Sequence, residues 1–393
     1  MSRVLKTLVV LLPAAACLSG PKQDLSALSR RSALSLAPSI GAAALVGSGA
    51  TGGQLLRVPS AGAAVAPPAD LIPNLGIGAW AWGDTLFWGY DDKKDGELQE
   101  LFDYCVDKGF KFFDTAEVYG LGRSETLLGK FCRANSNAAD VKIATKFAAL
   151  PWRTKASDVV DAAQRSTERL GRPIDLYQIH FPNAWSNEAY WDGLGECVDR
   201  GLVRAVGVSN YGAEALRACH AKLQEKGVPL VSNQIQVSLL YPYALNNGLI
   251  DTCKELNVKV LAYSPIALGL LAGKYTPNNL PSGPRKLLAE KYLQDPKFDA
   301  LIAEMKSVGE GYGGASPAQI AIAWCIAKGT CPIPGARTLT QAKSNLAAAS
   351  IKLTAQQVAV LDSAAAAVTL VLKPDSSPFA KKDVFTKMTM FDS

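Results

Sequence analysis

The nine residues FFDTAEVYG, 112–120, place Asp114 and Tyr119 five positions apart, just where an apolar run ends. A tyrosine hydroxyl can give up a proton, but its unperturbed pKa of about 10 makes it a weak acid near neutral pH. A neighbouring cation lowers such a pKa because it stabilises the tyrosinate. Asp114 and Tyr119 are therefore candidates for acid–base chemistry, provided that the fold brings them to one site with further polar groups.

Eight short runs of apolar, β-branched or aromatic residues recur along the chain. They are residues 75–80, 110–115, 141–147, 175–180, 203–209, 232–238, 259–265 and 330–336. Stretches with helical spacing lie between them, such as 96–109 and 155–171, the second with Ser157 as candidate N-cap and Gly171 at its end. Runs that are apolar on both faces and alternate with helices indicate parallel strands. Eight such units in about 270 residues predict one α/β domain, a (β/α)8 TIM barrel.

A doubly wound sheet is the competing fold, and it requires a glycine-rich phosphate-binding turn. The stretch GIGAWAWGD after the first run lacks G-x-G-x-x-G, and GLGRSETLLGK, 120–130, has the wrong spacing and follows an acidic loop. The barrel is therefore favoured. Active-site residues of a barrel come from the carboxyl ends of its strands and the loops that follow. Those positions hold Asp114, Tyr119, Lys146, His180, Ser209, Asn210, Gln234, Tyr263 and Ser264.

Composition and charge exclude several classes of protein. The 393 residues carry a formal net charge of +6, but residues 1–70 hold six Lys/Arg against two Asp/Glu, so the remainder, with 35 against 33, is nearly neutral. There is no basic stripe interleaved with aromatic residues, which argues against nucleic acid as a partner. The eight cysteines never form C-x-x-C and only two histidines exist, so the sequence predicts neither a metal site nor a disulfide framework.

The first 70 residues have the composition of a cleavable targeting leader. Residues 1–20 resemble a secretory signal peptide, and residues 21–70, rich in Ala and Ser and nearly free of acids, resemble a plastid transit peptide. This two-part layout predicts a plastid (chloroplast) protein with no transmembrane segment in its mature form. Arg30 and Arg31 before the apolar run 33–46 also fit a twin-arginine signal, so stroma and thylakoid lumen both stay open.

The predicted strand ends carry short motifs in a distinctive order. Besides FFDTAEVYG, they are ATKF (144–147), LYQIH (176–180), GVSNY (207–211), NQIQVSLL (233–240), AYSPIALGLLAGKYT (262–276) and PIPGARTLTQAKSN (332–345). In order and spacing this set resembles the aldo-keto reductase family over residues 71–365. The stretches GAWAWGD (78–84), KFAALPWR (146–153) and PSGPR (281–285) are most similar to plastid members from plants and algae.

The resemblance implies an enzyme, an NADP-dependent oxidoreductase that moves hydride from NADPH to the carbonyl carbon of an aldehyde or ketone. In such an enzyme Tyr119 is the general acid and Lys146 is the cation that lowers its pKa. Asp114 holds Lys146 in place, and His180 orients the carbonyl oxygen.

The same resemblance implies the residues that hold NADPH. Ser209, Asn210 and Gln234 are expected at the nicotinamide carboxamide, with the ring of Tyr263 against the nicotinamide. Arg337 is expected to bind the ribose 2′-phosphate, because a guanidinium binds phosphate through two N–H groups, and this favours NADPH over NADH. The remaining cofactor candidates are Ser264, Pro265, Lys274, Gly335, Gln341 and Asn345.

The substrate is predicted only as a small-molecule carbonyl compound. Trp80, Trp82, Trp152 and Trp185 lie in or beside loops at the same end of the barrel and are candidates for its pocket. Lipid-peroxidation aldehydes, sugar aldehydes and pyridoxal all stay open, as do the oligomeric state and the role of the tail, 366–393. The alternative is a cofactor-bound redox-sensing or partner-binding protein that resembles potassium-channel β subunits, because they share this barrel and fold alone does not decide function.

Overall fold

The computed structural model describes residues 71–183, 186–283 and 285–371. Eight parallel strands follow one another in chain order, each paired with the next. They are β1 Ile77–Gly78, β2 Phe112–Asp114, β3 Lys142–Phe147, β4 Leu176–Ile179, β5 Val206–Ser209, β6 Leu230–Gln236, β7 Lys259–Tyr263 and β8 Cys331–Pro332. This all-parallel order with a helical connection after each strand is the predicted (β/α)8 topology. The leader and the tail end lie outside the described residues.

Backbone hydrogen bonds close the sheet into a barrel. Gly76 N donates to Pro332 O and Gly78 N donates to Pro334 O, both at 3.0 Å, so β1 lies beside β8 and the residues after it. A side chain does not fit at Gly78, because an added Cβ would lie 2.7 Å from the backbone oxygen of Ile333. Glycine at this position therefore allows the first and last strands to approach.

Helices connect the strands. They are α1 Asp95–Asp107, α2 Arg123–Ala134, α3 Ala156–Leu170, α4 Asn187–Asp199, α5 Ala213–Glu225, α6 Tyr243–Asn246, α7 Leu249–Glu255, α8 Arg285–Tyr292, α9 Pro296–Glu310, α10 Pro317–Ala327, α11 Leu339–Ala347 and α12 Ala355–Ala367. The start expected for α3 is wrong by two residues: Lys155 is the N-cap, and the Asp158 carboxylate accepts from its backbone N at 2.9 Å. Gly171 ends α3 with φ 69°, as expected.

The barrel interior is apolar at its amino end and polar at its carboxyl end. An apolar cluster inside the barrel includes Phe112, Ala144, Leu176, Ala205 and Leu261. Because successive side chains of a strand point to opposite faces, the residue two positions further along each strand shares the interior face. These residues are Asp114, Lys146, Gln178, Gly207 and Tyr263. The strand ends thus direct polar groups into the mouth of the barrel.

Candidate active site

A buried ion pair lies at the carboxyl ends of two adjacent strands. Lys146 Nζ, from β3, donates to Asp114 Oδ1, from β2, and to the backbone oxygen of Thr115, both at 2.6 Å. The Lys146 side chain is 0% exposed and the Asp114 side chain is 3% exposed. An unpaired charge at such a depth is costly, so each partner holds the other in place.

The loop after β2 brings Tyr119 to the side of this pair. Gly120 and Leu121 have φ values of 56° and 57°, in the left-handed region, and turn the chain into α2. The ring centroid of Tyr119 lies 5.0 Å from Lys146 Nζ and 5.7 Å from the ring centroid of His180, which meets it edge-on. Asp114, Tyr119, Lys146 and His180, the four candidates for acid–base chemistry, therefore lie side by side.

Glu117 fastens the Tyr119 loop to the loop that follows β3. Its Oε1 accepts from the backbone N of Ala148 at 2.7 Å, and its carboxylate pairs with Arg153. Ala148 lies two residues beyond Lys146, so this clamp sets the spacing between the lysine and the tyrosine. Sequence reasoning did not single out Glu117 or Arg153, because the pair forms across 36 residues.

Burial raises the pKa of Tyr119 well above its ordinary value of 10.0, and Asp114, Tyr263 and Asp84 act in the same direction. The lowering expected from Lys146 is therefore not found. The physical reason is that Lys146 directs its hydrogen bonds to Asp114 and Thr115, while burial acts on Tyr119 in the opposite direction. The raised pKa keeps the Tyr119 hydroxyl protonated. Within the described residues this hydroxyl forms no hydrogen bond, so it is available to a ligand.

His180 is neutral at this site. Burial lowers its pKa well below the ordinary value of 6.5, and the positive charge of Lys146 lowers it further. Its Nδ1 has no hydrogen-bond partner among the described residues. Burial likewise lowers the pKa of Lys146 from 10.5, and Asp114 opposes that effect. A neutral imidazole can donate one ring N–H to an oxygen atom in the cleft.

Four of the cofactor candidates form a connected group. Asn210, with φ 61°, donates from Nδ2 to the backbone oxygen of His180 at 3.0 Å and accepts from the Tyr263 hydroxyl at 3.0 Å. Ser209 Oγ donates to the backbone oxygen of Gln234 at 2.8 Å. The Gln234 amide donates from Nε2 to Asp114 at 2.7 Å, which orients its Oε1 as the remaining acceptor. The group therefore has defined donors and acceptors before any ligand binds.

One cleft of about 440 Å³ joins these groups. All eleven sequence-predicted cofactor residues line it, together with Asp114, Tyr119 and His180, whereas Lys146 lies behind them. The cleft continues to the loop after β8, where Gln341 Oε1 accepts from the backbone N of Arg337 at 2.8 Å. An elongated ligand can therefore extend from Tyr119 to Arg337.

The far end of the cleft holds two residues that sequence reasoning did not assign, Arg285 and Trp88. The guanidinium carbon of Arg285 lies 4.8 Å from the Trp88 ring centroid and that of Arg337 lies 5.4 Å from it. Arg285 is 9% exposed and its Nε has no hydrogen-bond partner among the described residues. Its place in the motif PSGPR was the available signal.

The tryptophans expected at the substrate pocket lie in different places. Trp80 lines the cleft, and its ring stacks on Phe87 at 4.9 Å. Trp82 lies in the core instead, fully buried, because its ring packs against Phe113 and Phe131 and its Nε1 donates to Ala336 O at 2.8 Å. Trp152 is 55% exposed and does not line the cleft, since it is at the tip of its loop. Trp185 lies outside the described residues.

Two further features of residues 71–183, 186–283 and 285–371 bear on function. No group of three His, Cys, Asp or Glu side chains there could hold a metal ion. In the same residues no helix combines the length and the apolar character that crossing a membrane requires.

Comparisons with known proteins agree with this geometry. The sequence profile of the Aldo/keto reductase family matches residues 74–366. The chloroplastic pyridoxal reductase of Arabidopsis thaliana is 41% identical over 315 residues, which cover 76% of this chain and 84% of that protein. An uncharacterized oxidoreductase of Mycobacterium tuberculosis is 37% identical over 303 residues, 75% of this chain and 90% of that protein.

Solved structures are also similar. The crystal structure of a thermostable aldo-keto reductase with the inhibitor epalrestat has a TM-score of 0.61 and 28% identity, covering 75% of this chain and 95% of that chain. An aldo/keto reductase from Klebsiella pneumoniae, crystallised with NADP and acetate, has a TM-score of 0.59 and 23% identity, covering 74% and 91% of the two chains, and this likeness concerns the fold alone.

Proposed function

The chain belongs to the aldo/keto reductase family and is an oxidoreductase; we propose that it reduces the carbonyl group of a small aldehyde or ketone to an alcohol with NADPH. The observation that carries this proposal is the buried Lys146–Asp114 pair, which lies beside Tyr119 and His180 at one end of the cleft. These side chains can together stabilise and protonate an oxygen atom that gains negative charge.

The phosphate end of the cleft fits NADPH. Lys274, Arg285 and Arg337 all line it, and none of the three pairs with a carboxylate in the described part of the chain. A buried guanidinium N–H without an acceptor is costly, so the unpartnered Nε of Arg285 favours a ligand that brings an oxygen. Phosphate oxygens match guanidinium groups in geometry and charge. We assign Arg337 and Arg285 to the phosphates of the cofactor.

The nicotinamide end fits as well. Ser209, Asn210 and Gln234 would hold the carboxamide, and the ring of Tyr263 would lie against the nicotinamide. The acceptor Oε1 of Gln234 matches the amide N–H group of a carboxamide, because its Nε2 is already engaged by Asp114. When bound, NADPH supplies the hydride that reduces the carbonyl carbon.

The proton would come from Tyr119. Its raised pKa keeps the hydroxyl protonated at neutral pH, which is the form that a general acid needs. As the proton leaves, Lys146 stabilises the negative charge that grows on the tyrosine oxygen. His180, being neutral, would donate an N–H to the same carbonyl oxygen and so fix its orientation.

The walls beside Tyr119 favour a flat, apolar carbonyl compound. Trp80, Leu150, Phe181 and Tyr241 line the cleft, and the ring centroid of Trp80 lies 6.1 Å from that of Tyr119. Aromatic side chains pack well against planar rings. Since the Arabidopsis relative is a pyridoxal reductase, pyridoxal is the first aromatic aldehyde to test, next to aliphatic lipid-peroxidation aldehydes and sugar aldehydes.

We also propose that the protein acts in plastids. Two observations support this: the signal-like and transit-like composition of residues 1–70, which lie outside the described residues, and the chloroplastic assignment of the Arabidopsis relative. A fluorescent fusion of residues 1–75 tests it, with plastid fluorescence expected. Uniform cytosolic fluorescence would contradict it.

An aldehyde panel tests the proposed reaction. Purified protein is mixed with NADPH and with pyridoxal, benzaldehyde, 4-hydroxynonenal or glyceraldehyde, and the loss of NADPH absorbance is followed. We expect turnover that is fastest with the planar aldehydes. Tight NADPH binding without turnover of any aldehyde would instead favour a cofactor-bound partner protein.

A further inference from the structure

Two polar residues inside the barrel have no place in the reaction as described above. Gln178 of β4 and Ser232 of β6 are both 0% exposed. Neither lines the cleft, so neither can touch a substrate or a cofactor. The interior layers of such barrels are usually filled by branched apolar residues. A buried amide and a buried hydroxyl at this depth therefore call for a specific partner.

The partner is the carboxylate of Asp114. Gln178 Nε2 lies 3.4 Å from Asp114 Oδ2, which also accepts from Gln234 Nε2 at 2.7 Å. Ser232 Oγ donates to Gln178 Oε1 at 3.2 Å, which fixes the amide with its NH₂ group toward Asp114. The hydrogen-bonded chain therefore runs from Ser232 through Gln178 to the oxygen of Asp114 that Lys146 does not contact.

Gly207 makes room for this chain. A Cβ at Gly207 would lie 2.0 Å from Ser232 Oγ and 3.1 Å from Gln178 Cγ. The absence of a side chain at Gly207 in β5 thus allows Ser232 of β6 to hydrogen-bond Gln178 of β4, which in turn contacts the Asp114 carboxylate. Apolar packing would fill the same space at lower cost, since burying polar groups is unfavourable unless they are hydrogen-bonded.

We propose that Gln178, held by Ser232, is a positioning residue for the reaction, and this inference rests on the proposed reductase function. Gln234 donates to Asp114 and would also bind the cofactor, whereas Gln178 donates only to Asp114. Gln178 therefore adds a second donor to the Asp114 oxygen that Gln234 also contacts, so that the carboxylate keeps its orientation and Lys146 stays in place beside Tyr119.

The charged and titratable groups around Asp114 are consistent with this role. Lys146 contacts it from β3, Tyr119 faces it from its own loop, and Cys331 faces it from β8. Burial raises the pKa of Cys331 to about 12, so that thiol is neutral. Lys146 is then the one cation on Asp114 among the described residues, and the amide donors supply the rest of its stabilisation.

The test compares kcat for aldehyde reduction with NADPH affinity in Gln178→Met, which keeps the side-chain length and removes the donor. We expect kcat to fall about tenfold, the effect of losing one hydrogen bond to a charged group. NADPH affinity should stay within about twofold, because Gln178 does not line the cleft, so the loss should be confined to kcat. Ser232→Ala should lower kcat in the same way but by less.

Thr252→Val is the matched control, because it removes a similarly buried hydroxyl that donates to the backbone oxygen of Gly248 and does not line the cleft. If kcat is unchanged in both test variants, or if it falls only in proportion to the folded fraction, the positioning role is overturned. A crystal structure of free Gln178→Met separates this outcome from a failure of the reductase proposal. We expect the Asp114 carboxylate to turn or to show two conformers, and an unchanged Lys146–Asp114 pair would contradict the inference even if no aldehyde were reduced.

Discussion

Lys146 Nζ lies 2.6 Å from Asp114 Oδ1, and both side chains are buried. Two neighbouring strands, 32 residues apart in sequence, thereby form a fixed charge pair at the mouth of the barrel. A surface pair of this kind would contribute little. Here both charges are buried, so leaving either one unpaired would destabilise the strand ends. The two charges of the pair also contribute to the electrostatic field at Tyr119.

Breaking this pair should destabilise the protein strongly. Lys146→Met leaves a buried carboxylate without its cation, and we expect the free energy of unfolding to fall by about 3–5 kcal/mol. Asp114→Asn combined with Lys146→Met should be more stable than Lys146→Met alone, because no unpaired charge remains. Urea unfolding of the wild type, both single variants and the double variant measures this, and a strictly additive loss would argue against a coupled pair.

Arg285 should contribute to cofactor binding, although its position in the motif PSGPR did not predict this role. Replacing it by Gln removes the charged donor next to Trp88, and we expect NADPH affinity to fall about tenfold. Lys291→Gln, an exposed charge on the same helix, is the matched control and should leave the affinity unchanged. Quenching of tryptophan fluorescence by NADPH provides the measurement, and equal affinities in both variants would remove Arg285 from the site.

Arg337 should distinguish NADPH from NADH. We expect Arg337→Ala to weaken NADPH binding and to leave NADH binding nearly unchanged, because only NADPH carries the 2′-phosphate. The affinity ratio of the two cofactors, measured before and after the substitution, is the readout. An unchanged ratio would place the 2′-phosphate elsewhere.

His180 should make stability depend on pH. Its pKa in the folded protein lies well below 6.5, so the unfolded chain takes up a proton as the pH falls through 6.5 and the folded protein does not. The free energy of unfolding should therefore drop by about 1 kcal/mol between pH 6.5 and 5.5, as the unfolded histidine goes from half to nearly fully protonated. His180→Gln should remove this drop, and His220→Gln, the other histidine, is the control. An unchanged drop in His180→Gln would show that His180 is not its source.

Asp84 should disfavour anionic substrates. Its charge acts on Tyr119, and its Oδ1 accepts from the backbone N of Phe87 at 2.8 Å, a contact that asparagine can keep. We expect Asp84→Asn to raise kcat/KM for 4-carboxybenzaldehyde relative to benzaldehyde by about fivefold, since one partly solvated charge contributes on the order of 1 kcal/mol. An unchanged ratio would mean that Asp84 is screened from the substrate.

The strand order and most of the site were predictable from sequence because both follow from local patterns. Alternating apolar runs and helices specify the barrel, and a barrel places its chemistry at the strand ends. Asp114 and Lys146 end neighbouring strands, so their contact follows from the topology alone. The motif order then assigned the cofactor residues, and each of them lines the cleft.

The remaining features depend on long-range packing that no local pattern contains. Trp80 and Trp82 are two residues apart, yet one lines the cleft and the other is in the core. Whether the pKa of Tyr119 is raised or lowered depends on the balance between burial and the charge of Lys146, whose hydrogen bonds are directed to Asp114 and Thr115. The contact of Arg285 with Trp88 joins the first residue of α8 to a loop nearly 200 residues earlier in the chain.

The central claim is that Tyr119 supplies the proton in NADPH-dependent carbonyl reduction. It is tested most directly by comparing kcat for the best aldehyde of the panel in the wild type and in Tyr119→Phe, with NADPH affinity measured in parallel. We predict that kcat falls by at least about a hundredfold while NADPH affinity stays the same, because only the proton donor is lost. A Tyr119→Phe protein that reduces the aldehyde within a few-fold of the wild-type rate would contradict the account.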